Sequence, residues 1–386
     1  MASIVFVAGD PSGDAHAARL VEALRAKDPA LTFSGLGGPA MQRAGVLLLD
    51  DLTATAAIGP FDASRHLGRL ARAKRLLDEH LARQRADLVI LVDFGDYNLP
   101  VIAPLVKRHQ IPILYYISPQ VWAWGRWRLR YIKRDVDRMV VFFRFEEEFY
   151  QREGIPVTWV GHPLLEQASP TLSKDAAVQR FGLNLWRRTV GLLPGSREDE
   201  VRRHLPLMLA AARRIAWHMP GVEFLLPKAM GLRRDVFDEP ASRAGIDVRV
   251  IEGSIADALQ LMEAAIVASG TATLEAALCE VPMAVVYRTS WPTYLAARLV
   301  VRIPRIALVN VVAQRAVVPE FVQHRAQPHR IARAIIELLR NDERAAQMKE
   351  DLREVKARLG PPGAVERAAH VILECLKRPR AARTTG

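Results

Sequence analysis

Short apolar runs rich in β-branched residues recur along the whole chain, and each is followed by a stretch of helical periodicity. Ser3–Ala8, Leu31–Gly35, Leu88–Val92, Ile113–Tyr116, Arg138–Phe142 and Thr158–Val160 read as strands. Leu88–Val92 is apolar without alternation, the pattern of a strand covered on both faces. Such alternation of strand and helix restricts the chain to parallel sheets with helices on both sides. The pattern breaks at Gly161–Lys174, where His162-Pro163 and Pro170 interrupt any helix. It then restarts, with strands expected at Thr189–Leu193, Glu223–Leu226, Val248–Ile251, Ala265–Ala268 and Met283–Tyr287. Long helices are expected over roughly Ser64–Arg85, about Glu200–Met219 and most of Pro328–Lys377. A length of 386 residues fits two domains at roughly 150 residues each. The expected division is 1–165, 166–350, and a C-terminal helical segment with a basic tail, 351–386, that packs back on the first domain or is exchanged in a dimer.

Two doubly wound sheets facing a central cleft can each hold one substrate beyond the carboxyl ends of its strands. That architecture favours a two-substrate transferase, although NAD-dependent dehydrogenases share its logic. Composition narrows the setting. The 54 Lys+Arg exceed the 42 Asp+Glu, for a net charge of +12, and only nine are lysines, so the surplus is mostly guanidinium. It favours phosphorylated ligands, nucleic acid or anionic membrane, unless it reflects GC-rich coding alone. Two distant cysteines, Cys279 and Cys375, form no metal set and point to a reducing compartment. Ala2–Gly9 reads as a core strand rather than a basic leader. No uncharged apolar stretch reaches the ~18 residues a span needs, so a cytoplasmic protein is expected.

Several loops at strand ends carry chemistry. Ser269-Gly270-Thr271-Ala272-Thr273 offers backbone N–H groups at a helix start, an anion site, with Glu275 one turn on to accept ribose hydroxyls. An ordinary cap by Thr271 or Thr273 fits equally well. Pro194-Gly195-Ser196-Arg197 is the same device with a guanidinium fork for phosphate; Glu198, Asp199 and Glu200 are its alternative partners. Gly9–Asp14 lacks both the Walker ending and the dinucleotide spacing, yet places Asp10 and Asp14 at a helix start. In Asp93-Phe94-Gly95-Asp96-Tyr97-Asn98 a carboxylate beyond a buried strand can take a proton from a hydroxyl. Its Asp-x-x-Asp spacing has no evident third ligand, so no metal is expected. Ser118–Arg128 interleaves Trp122, Trp124 and Trp127 with cations, suiting nucleic-acid stacking, an amphiphile at a membrane interface, or a packed core with a solvated cationic face. His162 reads as a junction histidine before a general base, and Cys279 as packing.

Taken in order, A-G-D-P-S-G-D at 8–14, D-F-G-D-Y-N at 93–98, S-P-Q-V-W-A-W at 118–124, L-L-P-G-S-R at 192–197, A-S-G-T-A-T-L-E at 268–275 and N-V-V-A-Q-R-A-V-V-P-E at 310–320 resemble the lipid-A-disaccharide synthase family. The resemblance covers about residues 3–375. It implies a GT-B glycosyltransferase of two Rossmann-like domains, working without metal or other cofactor. The implied reaction joins UDP-2,3-diacylglucosamine to 2,3-diacylglucosamine 1-phosphate with inversion, giving the β-1,6 disaccharide 1-phosphate and UDP. It implies Asp96 as general base, with Asp93, Asn98 and Trp122 beside the acceptor together with Ser12, Gly13 and Asp14. Gly195, Ser196, Arg197, Ser269, Gly270, Thr271, Glu275, Asn310 and Arg315 would hold the donor. The family works at the cytoplasmic face of the inner membrane of Gram-negative bacteria, and some members form homodimers; for this chain no nucleic-acid partner is expected.

Two features depart from the family pattern. Asp10 stands where Glu is usual, and 56–66, strongly apolar and thought to touch membrane in well-known members, is weakly apolar here. Arginines 65, 69, 72 and 75 would instead attract anionic lipid. The alternatives are another GT-B enzyme acting on UDP-N-acetylglucosamine, such as a muramyl-pathway transferase or epimerase, and a non-catalytic basic protein binding membrane or nucleic acid.

Overall fold

The computed structural model describes residues 2–53, 63–184, 186–229, 231–292, 294 and 305–377, with side chains at 63–66 left aside. The chain divides into two compact units, Met1–Pro163 together with Pro361–Gly386, and Leu164–Gly360. The weakly apolar segment 56–66 and the basic tail beyond Lys377 lie outside the residues and side chains described.

The first unit is built on β1 (Ser3–Ala8), β2 (Thr32–Gly37), β3 (Leu47–Asp51), β4 (Leu88–Val92), β5 (Ile113–Tyr116), β6 (Arg138–Val141) and β7 (Val157–Trp159). They form one sheet in the order β3-β2-β1-β4-β5-β6-β7, every pair parallel. All five residues of β4 are buried, as its unbroken apolar run predicts. In register, Ile4 stands beside Leu88 and Val7 beside Leu91. Each such side chain contributes ~1.5–3 kcal/mol by leaving water. From β1 the chain steps outward to β2 and β3, then β4 returns to the other flank of β1 and the steps continue the opposite way. The winding therefore reverses between β1 and β4.

Helix Pro11–Lys27 follows β1 directly. Asp10 caps it by accepting from the Gly13 N–H at 2.6 Å, and Pro11 supplies the fixed φ that suits a first turn. Helix Ala364–Lys377 packs on this helix through its own apolar face, and Arg367 donates to the Val160 carbonyl at 2.8 Å. The C-terminal segment thus returns to the first unit. Helix Asp342–Arg358 does not: its buried Leu352 and Val355 belong with helix Ala272–Leu278, which carries the second unit past residue 350 to Gly360.

The second unit repeats the plan with β8 (Thr189–Leu193), β9 (Glu223–Pro227), β10 (Val248–Ile251), β11 (Ala264–Ala268), β12 (Met283–Tyr287) and β13 (Glu320–Val322). Their order is β10-β9-β8-β11-β12-β13, again all parallel. Here the winding reverses between β8 and β11.

Candidate active site

In doubly wound sheets, ligands bind beyond the carboxyl ends of the two strands that flank the reversal, because the loops there part to opposite faces. In the first unit those loops are 9–14 and 93–98; in the second they are 194–197 and 269–271. Four of the sequence motifs therefore fall at the two places where topology itself makes a site.

In the first unit, loops 9–14 and 93–98 touch. A Cβ on Gly9 would come within 2.1 Å of the Phe94 ring, so only glycine lets them close. Asp93 and Phe94 both adopt left-handed backbone, φ 43° and 50°, at a cost of about 1–2 kcal/mol each. The bend is held from below: Asn98 Nδ2 donates to the Asp93 carbonyl at 2.9 Å and Tyr115 Oη donates to the same oxygen at 2.5 Å. The Asn98 amide also reaches Val92 and Val7 carbonyls at 3.3 and 3.4 Å. Asp96, in the single turn that follows, has a side chain 72% exposed and forms an ion pair with the Arg128 guanidinium.

Three expected substrate ligands prove to be occupied by the fold. The Asp14 carboxylate is buried and accepts from the N–H groups of Gly38, Ala40 and Met41 at 2.8, 2.8 and 3.0 Å, capping helix Pro39–Arg43. Asn98 is fully buried and its amide nitrogen belongs to the strand-end carbonyls just named. Asn310 in the second unit is saturated: Oδ1 accepts from Val317 and Val318, and Nδ2 donates to the Val318 carbonyl and Glu320. Each of the three thus binds its own fold, although Asn98 keeps a buried Oδ1 without a hydrogen-bond partner among the described residues. Arg315, expected near the donor, is held by Asp351 at 3.0 Å and Glu354 at 2.5 Å on helix Asp342–Arg358. Ser12 is exposed and Gly13 buried at the start of the first helix.

The tryptophan segment divides its residues. Trp122 and Trp124 are half-buried, whereas Trp127 is 54% exposed. Trp122 donates through Nε1 to Glu146 at 3.1 Å. Glu146 is buried, and burial pushes its carboxyl up to about 7. Arg126 and Lys133 both pair with Glu153, and Arg134 with Asp135, so these cations form the solvated face. Arg128 is the exception, buried behind Asp96; sequence reasoning passed over it because a run of cations gives no sign of which one turns inward. His162 is buried among Phe142 and Phe143, and burial with His16 nearby pushes its imidazole down to about 3. It fits the junction reading.

In the second unit, Gly195 has φ +122° and directs the loop into helix Glu198–His218. Glu200 folds back on it, accepting from the N–H groups of Ser196 and Arg197 at 3.1 and 3.3 Å and from the Arg197 guanidinium at 3.3 Å. A carboxylate thus lies where a phosphate would find the same donors. The Arg197 side chain is 79% exposed. Across the reversal, Ser269 Oγ donates to the Ile306 carbonyl at 2.9 Å and Thr273 Oγ1 to the Gly270 carbonyl at 2.8 Å, while Thr271 is exposed. Gly270 has open space beside it. Glu275 is half-buried, its carboxylate has no hydrogen bond to the described residues, and burial raises its carboxyl. Among the described residues no three His, Cys, Asp or Glu side chains cluster as metal ligands, and no helix is long and apolar enough to cross a membrane.

Two doubly wound parallel sheets, each with a polar loop pair at its reversal, define the GT-B fold of nucleotide-sugar glycosyltransferases and epimerases. The chain overlays UDP-GlcNAc 2-epimerase from Neisseria meningitidis, bound to UDP-GlcNAc, with a TM-score of 0.64 at 13% identity over 97% of this chain and 100% of that one. For the calicheamicin glycosyltransferase CalG4 the TM-score is 0.60 at 15% identity, over 100% of both chains. The family model for lipid-A-disaccharide synthetase matches residues 4–373, and the chain belongs to that family. It is 42% identical over 374 residues to the lipid-A-disaccharide synthase of Geobacter sulfurreducens, covering 97% of each. It is accordingly a glycosyltransferase of lipid A disaccharide synthesis.

Proposed function

We propose that the chain joins UDP-2,3-diacylglucosamine to 2,3-diacylglucosamine 1-phosphate, releasing UDP and forming the β-1,6 disaccharide 1-phosphate. The acceptor 6-hydroxyl gives its proton to Asp96 and bonds to the donor anomeric carbon from the face opposite UDP. The anomeric C–O bond breaks with its electron pair passing to the diphosphate. Arg197, with the N–H groups of Ser196 and Arg197, meets the charge that grows there, as fixed donors do in an oxyanion hole. Ser269, Gly270 and Thr271 add polar groups on the other side of the reversal, and Glu275 takes the ribose hydroxyls. Asn98 serves by bracing the Asp93 turn, Asp14 by capping helix Pro39–Arg43, and Asn310 and Arg315 by holding segment 310–320.

The observation that carries this is the placement of Asp96 in the loop after β4, at the reversal of the first sheet, in a chain of this family over residues 4–373. Attachment at the cytoplasmic face of the inner membrane is part of the proposal, and the exposed arginines 69, 72 and 75 on helix Ala63–Arg83 support it. Incubation with the two acylated substrates, followed by mass spectrometry, should yield disaccharide and UDP in equal amounts. Turnover of UDP-N-acetylglucosamine without the acylated pair would instead mark an epimerase-type or muramyl-pathway activity.

A further inference from the structure

Arg128 ends the tight turn Arg126–Arg128 and is 3% exposed. Its guanidinium carbon lies 3.9 Å from the Trp124 ring centroid and 5.2 Å from that of Trp127. Asp96 is its one anionic partner among the described residues, and the exposed Asp96 side chain covers it from the solvent side. Nε is buried with no hydrogen-bond partner among the described residues. A guanidinium carries five N–H donors, and among the described residues a single bond, to Asp96, is formed. Burying a cation with so few bonds is unfavourable unless an anion completes the site. Of the neighbouring cations, Arg126 and Lys133 share Glu153 and Arg134 pairs with Asp135, while the exposed Arg130 bonds the Tyr131 hydroxyl.

We propose that Arg128 is the seat of the acceptor's phosphate monoester, and that Asp96 covers this seat until the phosphate arrives. This rests on the reaction set out above and adds the group that recognises the acceptor's charge. A phosphate monoester brings up to two charges and three acceptor oxygens to a planar fork suited to it. It takes the guanidinium from Asp96, whose carboxylate lone pairs are then free to accept the hydroxyl proton. Proton acceptance is thereby tied to acceptor binding. The donor diphosphate and free phosphate share the same chemistry, so the test separates them.

Steady-state rates are compared with diacylglucosamine 1-phosphate and with the same sugar bearing a free 1-hydroxyl. The wild-type protein should prefer the phosphorylated acceptor by roughly 10–100-fold, the worth of charge-assisted hydrogen bonds. Arg128→Gln should lose most of that preference through a higher acceptor KM, with donor KM unchanged, and Arg128→Lys should fall between. Because a buried arginine variant can misfold, calorimetry on Asp96→Asn supplies a second arm: with its anionic cover removed, this variant should bind the phosphorylated acceptor several-fold more tightly. Equal loss for both acceptors, a rise in donor KM, or unchanged affinity in Asp96→Asn would each overturn the proposal while leaving the disaccharide reaction standing. Absence of disaccharide from the wild-type protein would instead reject the reaction, and the binding arm would still decide the role of Arg128.

Discussion

Glu200 meets Arg197 twice, accepting from its backbone N–H and from its guanidinium, each at 3.3 Å. The acid therefore rehearses the contacts assigned to the donor diphosphate and competes with it. Glu200→Gln should tighten UDP binding by about three- to ten-fold, because a charged competitor is removed, while weakening the start of helix Glu198–His218 by ~1 kcal/mol. Calorimetric titration of UDP and a denaturant midpoint check the two effects separately.

Arg197 itself is largely exposed, so its loss should spare the fold. Arg197→Ala should leave stability within about 0.5 kcal/mol. Donor KM should rise and kcat fall, together costing roughly 10²–10³-fold in kcat/KM, as for removal of a charge-stabilising donor. Unchanged donor kinetics would remove the arginine from the site.

Glu146 gives a pH signature. Burial lifts its carboxyl from 4.5 to about 7 in the folded protein. Between those values the unfolded chain releases a proton that the native protein keeps. This contribution therefore lowers stability as pH rises from about 4.5 to about 7, by ~3 kcal/mol in total. His16 and His162, pushed down to about 4 and about 3 by burial, act oppositely, their contributions raising stability with pH up to 6.5. The test is thus the difference between the wild-type protein and Glu146→Gln in urea midpoints from pH 4.5 to 8. The wild-type protein should lose ground to the variant as pH rises, and parallel curves would contradict the assignment.

Asn98 holds the left-handed pair Asp93–Phe94 beneath Asp96. Asn98→Ala removes the amide that reaches the Val7 and Val92 carbonyls and leaves Asp93 with one partner fewer, for an expected loss of ~1–3 kcal/mol. Turnover should fall with UDP affinity unchanged, since the loops proposed to hold the donor belong to the other unit. Loss of acceptor binding with full stability would restore Asn98 as a substrate ligand.

Much of this architecture is legible in the residues. β1, β4 and β8 stand out because unbroken apolar runs need cover on both faces, and the motif loops follow from where those runs end. β3 escaped notice: Leu47-Leu48-Leu49-Asp50-Asp51 lacks β-branched residues, and its pairing with β2 at the sheet edge decides its conformation. β13, Glu320–Val322, is too short for any period to show. The site was legible in position but not in role. Asp14, Asn98 and Asn310 sit in motifs, yet a polar side chain that binds backbone looks the same in sequence as one that binds sugar. Arg128 shows the converse, since burial of one cation among several depends on how Trp124 and Asp96 close around it.

The most direct test of the central assignment is kcat of Asp96→Asn measured beside its affinity for UDP. Loss of the proposed proton acceptor should lower kcat by roughly 10²–10⁴-fold with UDP affinity within about two-fold of the wild-type protein, because the residues proposed to hold the diphosphate belong to the other unit. Turnover within a few-fold of wild type, or loss of UDP binding in parallel with rate, would contradict it.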